Sequence, residues 1–259
     1  MITSASPPPS LLAVFAHPDD ESLVAGGVLA QHAEGGARTV VVTATWAPDS
    51  HRAAELADAL RILGAGEPRM LGYADARVPE SAPGQPRFCD APLEQAVERL
   101  VRHLREVRPD IVVTHDAYGG LTGHPDHVHT HRVTLLAVQA AGLERVYVEA
   151  GEPWQPGALY LATHPHSGVA QLGSLLTGVG KSVLSVPDER VTATVDVSPW
   201  LERKWSAILA HRSEVERERS LPGILSGLSA ADRRRILSTE YYTRLEAAPT
   251  RGGLRQLTA

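Results

Sequence analysis

The sequence predicts an α/β protein with a Rossmann-like, doubly wound and mostly parallel sheet that carries helices on both faces. Two observations support this. The first two-thirds of the chain alternate short apolar runs with longer amphipathic ones, the rhythm of βαβ units. Two stretches dense in histidine and aspartate, "AHPDDE" (16–21) and "GHPDHVHTH" (123–131), also follow the first and fourth of those apolar runs.

The strands are read at "LLAVFA" (11–16), "TVVVTAT" (39–45), "RMLGY" (69–73), "DIVVTH" (110–115) and "LYLATH" (159–164). A helix begins near Ser50, carries Leu56, Leu60 and Leu63 on one stripe and stops at Gly64. The clearest helix is "PLEQAVERLVRHLREV", where Leu93, Val97, Leu100, Val101, Leu104 and Val107 share a face opposite Glu and Arg. Asp90 and Pro92 mark its start and Pro109 its end. Farther on, "DERVTATVDVSPWLERKWSAILAHRSEV" reads as an edge strand followed by a long helix from about Pro199, and "VLSVP" (183–187) as a strand. The chain shows no solenoid repeat and no dividing linker, so residues 1–259 read as a single domain whose first ten residues form a disordered tail.

Apolar residues make up 43% of the chain and charged ones 21%, which is ordinary for a soluble protein. A net charge of −5 gives no footprint for nucleic acid, and the run Arg233 to Arg235 reads as the solvated face of a helix. The single cysteine, Cys89, excludes an intramolecular disulfide framework and reads as an inert thiol in a reducing compartment. With no basic leader, apolar signal region or membrane-length run, a cytoplasmic protein without a membrane partner is expected. The oligomeric state is not legible.

The crowding of acids in "AHPDDE" has a simple explanation in helix capping: each acid near a helix start is worth about 0.3–1 kcal/mol against the dipole. Capping leaves His17 idle and does not explain the second His-Pro-Asp at His124, Pro125 and Asp126. In a sheet of order 3-2-1-4-5, strands one and four are neighbours, and the crevice beyond their carboxyl ends is the usual ligand site. Both stretches then share that crevice, where a dication would convert carboxylate repulsion into attraction. Imidazole and carboxylate are ligands that zinc accepts, with one position left open for water.

A strand ending in "AHPDDE", the small-residue helix "SLVAGGVLAQHAEGG", then "RPDIVVTHD" and "GHPDHVHTHR" resemble the LmbE/PIG-L family of zinc-dependent N-acetylglucosaminyl deacetylases, most nearly its mycothiol-pathway deacetylases and amidases. The similarity resumes at "KWSAILAHRSEV" and "TEYY". The resemblance implies an LmbE-like fold and removal of an acyl group, typically acetyl, from an N-acylated amino sugar or glycoconjugate. It implies zinc, or ferrous iron, on His17, Asp20 and His127. Asp19 would be the general base, and His124 the oxyanion stabiliser or general acid, oriented and raised in pKa by Asp126. Arg52 and Asp75 match the family's substrate-pocket positions. Two substrate loops depart from the pattern. "TWAPDSHR" stands where the family carries an acidic loop, and in "GGLTGH" the pocket tyrosine gives way to Thr122, with Tyr118 nearby.

The remaining histidines have plainer readings. His129 and His131 are expected in helix packing or as supporting contacts, with His131 the fallback ligand. His115 lines the cavity or merely ends its strand, and His164 and His166 follow the fifth strand on the same sheet edge, where one of them either reaches the site or stays clear of it. "TGVGKS" (177–182) lacks the first glycine of a phosphate loop and a helix after it, and acids in place of a glycine-rich turn argue against a dinucleotide. The alternative to an enzyme is a non-catalytic metal- or sugar-binding module that kept the fold.

Overall fold

The computed structural model describes residues 8–247, apart from the side chain of Gln171. Its sheet has seven strands: β1 (Leu11–Phe15), β2 (Thr39–Thr45), β3 (Arg69–Tyr73), β4 (Ile111–His115), β5 (Ala158–Ala162), β6 (Ala193–Asp196) and β7 (Thr239–Glu246), in the order β3-β2-β1-β4-β5-β7-β6. The first five are parallel in the order expected, with Leu11 opposite Thr39 on one side and Ile111 on the other. β7 is antiparallel to both β5 and β6. β6 is the expected edge strand, and β7 is a strand that the reading of the elements did not anticipate.

Helices α1 (Asp20–Glu34), α2 (His51–Leu63), α3 (Leu93–Val107) and α4 (Pro125–Ala141) connect the parallel strands. They are followed by α5 (Ala170–Gly178), α6 (Leu201–Ala210), α7 (Arg212–Val215), α8 (Leu221–Ser226) and α9 (Ala230–Leu237). Ser50 caps α2 by accepting the Ala53 N–H, and Gly64 ends it at φ 79°, a conformation that favours glycine. The helix expected from Pro199 begins at Leu201 after a 3-10 turn and breaks at His211. Residues 183–187 form no strand: Val186 makes only an isolated bridge to Pro165, and no helix follows Lys181.

β1 explains why helices cover both faces. All five of its residues are buried, and they alternate between two cores. Leu12 and Val14 join Leu100, Leu104, Val133 and Ala137 of α3 and α4, whereas Leu11, Ala13 and Phe15 join Leu29, Leu56 and Leu60 of α1 and α2. Of the residues read as a tail, 1–7 lie outside the described residues. Ser10 donates its N–H and hydroxyl to Asp110, and Pro9 accepts from His32.

A second brace runs from β7 to α1. Glu240 accepts the Gly27 and Val28 N–H groups at 2.8 and 3.1 Å and pairs with Lys204 of α6 at 2.7 Å, while Tyr242 donates to Glu240 and to the Val24 carbonyl. Buried backbone groups need a partner. Here a strand distant in sequence supplies it.

Candidate metal centre and active site

The parallel strands bring the two His-Pro-Asp turns together. At the end of β1, Thr45 of β2 donates both its N–H and its hydroxyl to the Ala16 carbonyl, and the Ala16 N–H donates to His115 Nε2 at the end of β4. His17 and α1 start there. His124 caps α4, so His127 lies on that helix's first turn, facing the same cavity.

Three side chains form a triangle: His17 Nδ1 and His127 Nε2 are 3.0 Å apart, His17 Nδ1 is 3.4 Å from Asp20 Oδ2, and His127 Nε2 is 3.4 Å from Asp20 Oδ1. Ligands about 2.0 Å from one tetrahedral zinc are spaced by about 3.3 Å. The hydrogen bonds of the rings explain why a cation belongs there. His17 Nε2 faces the carboxylates of Asp126 at 3.1 Å and Asp75 at 3.3 Å, so it carries the proton. His127 Nδ1 faces the Gly119 carbonyl at 3.1 Å and carries its own. The two remaining nitrogens meet at one spot beside a carboxylate, where a dication would take the place of the proton they share. His115 and His124 also lie within reach of these atoms. One nitrogen of each is engaged: His115 Nε2 accepts from Ala16, and His124 Nδ1 accepts the Asp126 N–H at 3.3 Å.

The charge balance reflects this crowding. Burial works to lower His17, but Asp126, Asp20 and Asp75 prevail and push it up to about 10. Asp20 lies well below the usual carboxylate range: burial opposes this, and His127 and His115 drive it.

Asp19 sits beside the triangle with φ at 133°, a backbone conformation that side-chain-bearing residues rarely adopt, at a cost of about 1–3 kcal/mol. Its N–H is held by Glu21 Oε2 at 3.0 Å, and buried Glu21 is itself held by His211 Nε2 at 2.8 Å. Burial pushes the Asp19 carboxyl up to about 7, which Arg52 opposes and Asp20 reinforces.

Arg52 lines the cavity, but its guanidinium is committed. It pairs with Asp19 at 3.2 Å and Glu214 at 3.0 Å, donates to the Pro18 carbonyl, and lies 5.1 Å over the Trp46 ring. The arginine expected to hold substrate also holds Asp19. Asp75 accepts the Arg77 N–H and faces His17, so one of the two expected pocket residues also supports the imidazole.

The Asp126 carboxylate does more than the expected orienting of His124. Asp126 Oδ2 serves His17 and the Ala76 N–H, Oδ1 serves the Cys89 N–H, and His124 Nδ1 lies 3.8 Å away. His124 is pushed down to about 4, by burial first and then by His17 and Arg77, which together outweigh the expected upward pull of Asp126. With Nδ1 accepting a hydrogen bond, neutral His124 carries its proton on Nε2.

Of the other histidines, His129 packs edge-on against Phe88 and His131 Nδ1 binds the His115 carbonyl, as expected for supporting roles. His115 stacks on His127 with ring centroids 4.0 Å apart and lines the cavity. His164 reaches it, while His166 turns to Ser185. Thr122 lines the cavity, whereas Tyr118 is 49% exposed and does not. Burial pushes the Cys89 thiol up to about 11, in keeping with an inert group. Glu214 and His211 were missed as site residues. They lie nearly two hundred residues from Asp19 in an ordinary-looking helix, and only the resumed similarity at "KWSAILAHRSEV" touched them.

Sheet order, paired His-Pro-Asp turns and the converging donors define the class: a Rossmann-like α/β protein of the LmbE kind with a metal-competent cluster at the carboxyl edge of its sheet. A family profile described as PIG-L, GlcNAc-PI de-N-acetylase, matches residues 12–138. A 1D-myo-inositol 2-acetamido-2-deoxy-α-D-glucopyranoside deacetylase of Rhodococcus jostii is 36% identical over 272 residues, covering 92% of each chain, and the protein belongs to this family. Among solved structures, the N,N'-diacetylchitobiose deacetylase of Pyrococcus horikoshii shares the fold at a TM-score of 0.64 and 18% identity, covering 92% of this chain and 84% of that one. The 4-carboxy-2-hydroxymuconate hydratase of Pseudomonas putida shares it at 0.58 and 20%, covering 94% and 99%. The fold therefore does not dictate the reaction.

Proposed function

We propose that the protein is a zinc-dependent N-deacetylase that hydrolyses the amide of an N-acylated amino sugar or glycoside, with His17, Asp20 and His127 as the ligands. The observation that carries this is the convergence of two imidazole nitrogens and a carboxylate beside a strained aspartate whose carboxyl is pushed up to about 7. When bound, the dication would acidify a water and polarise the amide carbonyl.

The remaining chemistry belongs to the side chains. Asp19, held in place by Arg52 and Glu21, takes the proton of the attacking water and returns it to the leaving nitrogen, a pair of transfers suited to a carboxyl near pH 7. His124 faces the oxygen that gains charge and donates its Nε2–H, a contribution of about 3–4 kcal/mol for one such donor. Asp126 and Asp75 fix the tautomer of His17 and raise its basicity as a ligand.

The acetamido-glucoside in the name of the Rhodococcus relative supports an N-acetylglucosamine-type substrate, and the altered loops at "TWAPDSHR" and Thr122 leave its aglycone open. No described helix is long and apolar enough to cross a membrane, and the lone free Cys89 supports a cytoplasmic setting. The test is metal analysis combined with acetate release from a panel of acetylated glucosamines, with zinc or ferrous iron loaded. Asp19→Asn should keep the metal and lose about 10²–10⁴-fold in kcat, while Asp20→Ala and His127→Ala should lose the metal. A metal-loaded wild type that releases no acetate but binds the sugars would establish a non-catalytic module instead.

A further inference from the structure

The cavity has a side that the proposed mechanism leaves unused. Arg77 after β3, Lys181 after α5 and Arg217 after α7 reach it from three separate segments. The acids lining the cavity are already engaged: Asp19 by Arg52, Asp20 by imidazoles, Asp75 by His17 and the Arg77 N–H, and Glu214 by both Arg52 and Arg217. Among the described residues, neither the Lys181 ammonium nor the Arg77 guanidinium has a carboxylate at ion-pair distance.

Lys181 is also held in place. Its N–H donates to the Leu176 carbonyl at 3.0 Å, Gly180 before it turns at φ 74°, and Arg219 donates to the Val179 carbonyl at 2.8 Å. This is the "TGVGKS" segment, whose lysine an NTPase reading could not use. The ammonium is half-buried, and burial together with Arg217 and Arg77 depresses its pKa. A cation kept partly out of water among other cations is unfavourable until an anion joins it.

We propose that Lys181, Arg77 and Arg217 form a subsite for an anionic substituent, phosphate or carboxylate, so that the preferred substrate is an acidic N-acylated amino sugar. This rests on the deacetylase reading for the identity of the sugar but not for the anion preference itself.

The test is calorimetric titration of the zinc-loaded full-length Asp19→Asn protein with N-acetylglucosamine, its 1- and 6-phosphates and N-acetylglucosaminuronate. At least one acidic sugar should bind about tenfold or more tightly than the neutral one at low salt, with the advantage shrinking as salt is raised. The acidic sugar that gains most distinguishes phosphate from carboxylate. Lys181→Gln and Arg77→Gln should each remove most of the preference, with unchanged zinc content as the folding control. Equal affinity for neutral and acidic sugars, or a preference that survives both substitutions, would overturn the subsite. Acetate release by the wild type judges the deacetylase reading separately.

Discussion

At the residue scale the proposed mechanism depends on Asp19, which it asks to be a base while the fold makes it a strained turn residue and the partner of an arginine. The two acids of "AHPDDE" are differentiated by their surroundings. Asp20 lies among imidazoles and falls well below its ordinary range, whereas Asp19, buried beside one guanidinium, is pushed up to about 7. A base must be deprotonated to accept, so kcat/KM should fall about tenfold per pH unit on the acid side of the Asp19 titration. A pH profile of acetate release checks this, and a flat profile through the acid range would remove Asp19 from the proton transfers. Proximity of these acids was legible in the sequence, because the motif sits at a strand end. The division of labour between Asp19 and Asp20 came only from the family resemblance, because Arg52, Glu214 and His211, which surround Asp19 here, are brought up by tertiary packing.

At the element scale, α1 is held near its start and at its middle by chain segments far away in sequence. Glu21 and His211 form a buried pair near its start. Burial opposes both shifts, but His211 holds Glu21 below its ordinary 4.5, and Glu21 holds His211 above 6.5. The contribution of the lowered carboxyl is present above pH 4.5 and fades as pH falls through its folded value. That of the raised imidazole is present below pH 6.5 and fades as pH rises through its own. The pair is therefore fully effective between those limits. His211→Gln should destabilise the protein by about 3 kcal/mol at pH 5.5, in the range for breaking a buried pair, and by clearly less at pH 9. Thermal unfolding at the two pH values measures the difference, and equal losses would contradict the assignment. In the middle of α1, a Cβ at Gly27 would lie 2.3 Å from Val197 Cβ, so Gly27→Ala should lower stability by about 1–3 kcal/mol in a denaturant titration.

At the scale of the whole molecule, the five-strand parallel order was readable because β-rich runs and one strong helix stripe alternate, and because crossover handedness permits few arrangements. β7 was not readable as a strand: "TEYYTRLE" alternates, but its charged positions gave no hint that it would enter between β5 and β6. The same sheet order creates the excess of acids around His17, and filling it should stabilise the entire fold. Zinc at about a hundred times its dissociation constant should add about 2.7 kcal/mol to unfolding stability. A chelator should reverse the rise in Tm, and a Tm indifferent to both would count against the cluster as a metal site.

The brace from Glu240 has a consequence for the order in which the molecule can be completed. During synthesis α1 leaves the ribosome early, but the carboxylate that accepts Gly27 and Val28 arrives on one of the last described strands, and β6 has no neighbour in the sheet until that strand is in place. A nascent chain halted before Thr239 would keep its first helix and its edge unfinished, so final closure must await the synthesis of β7.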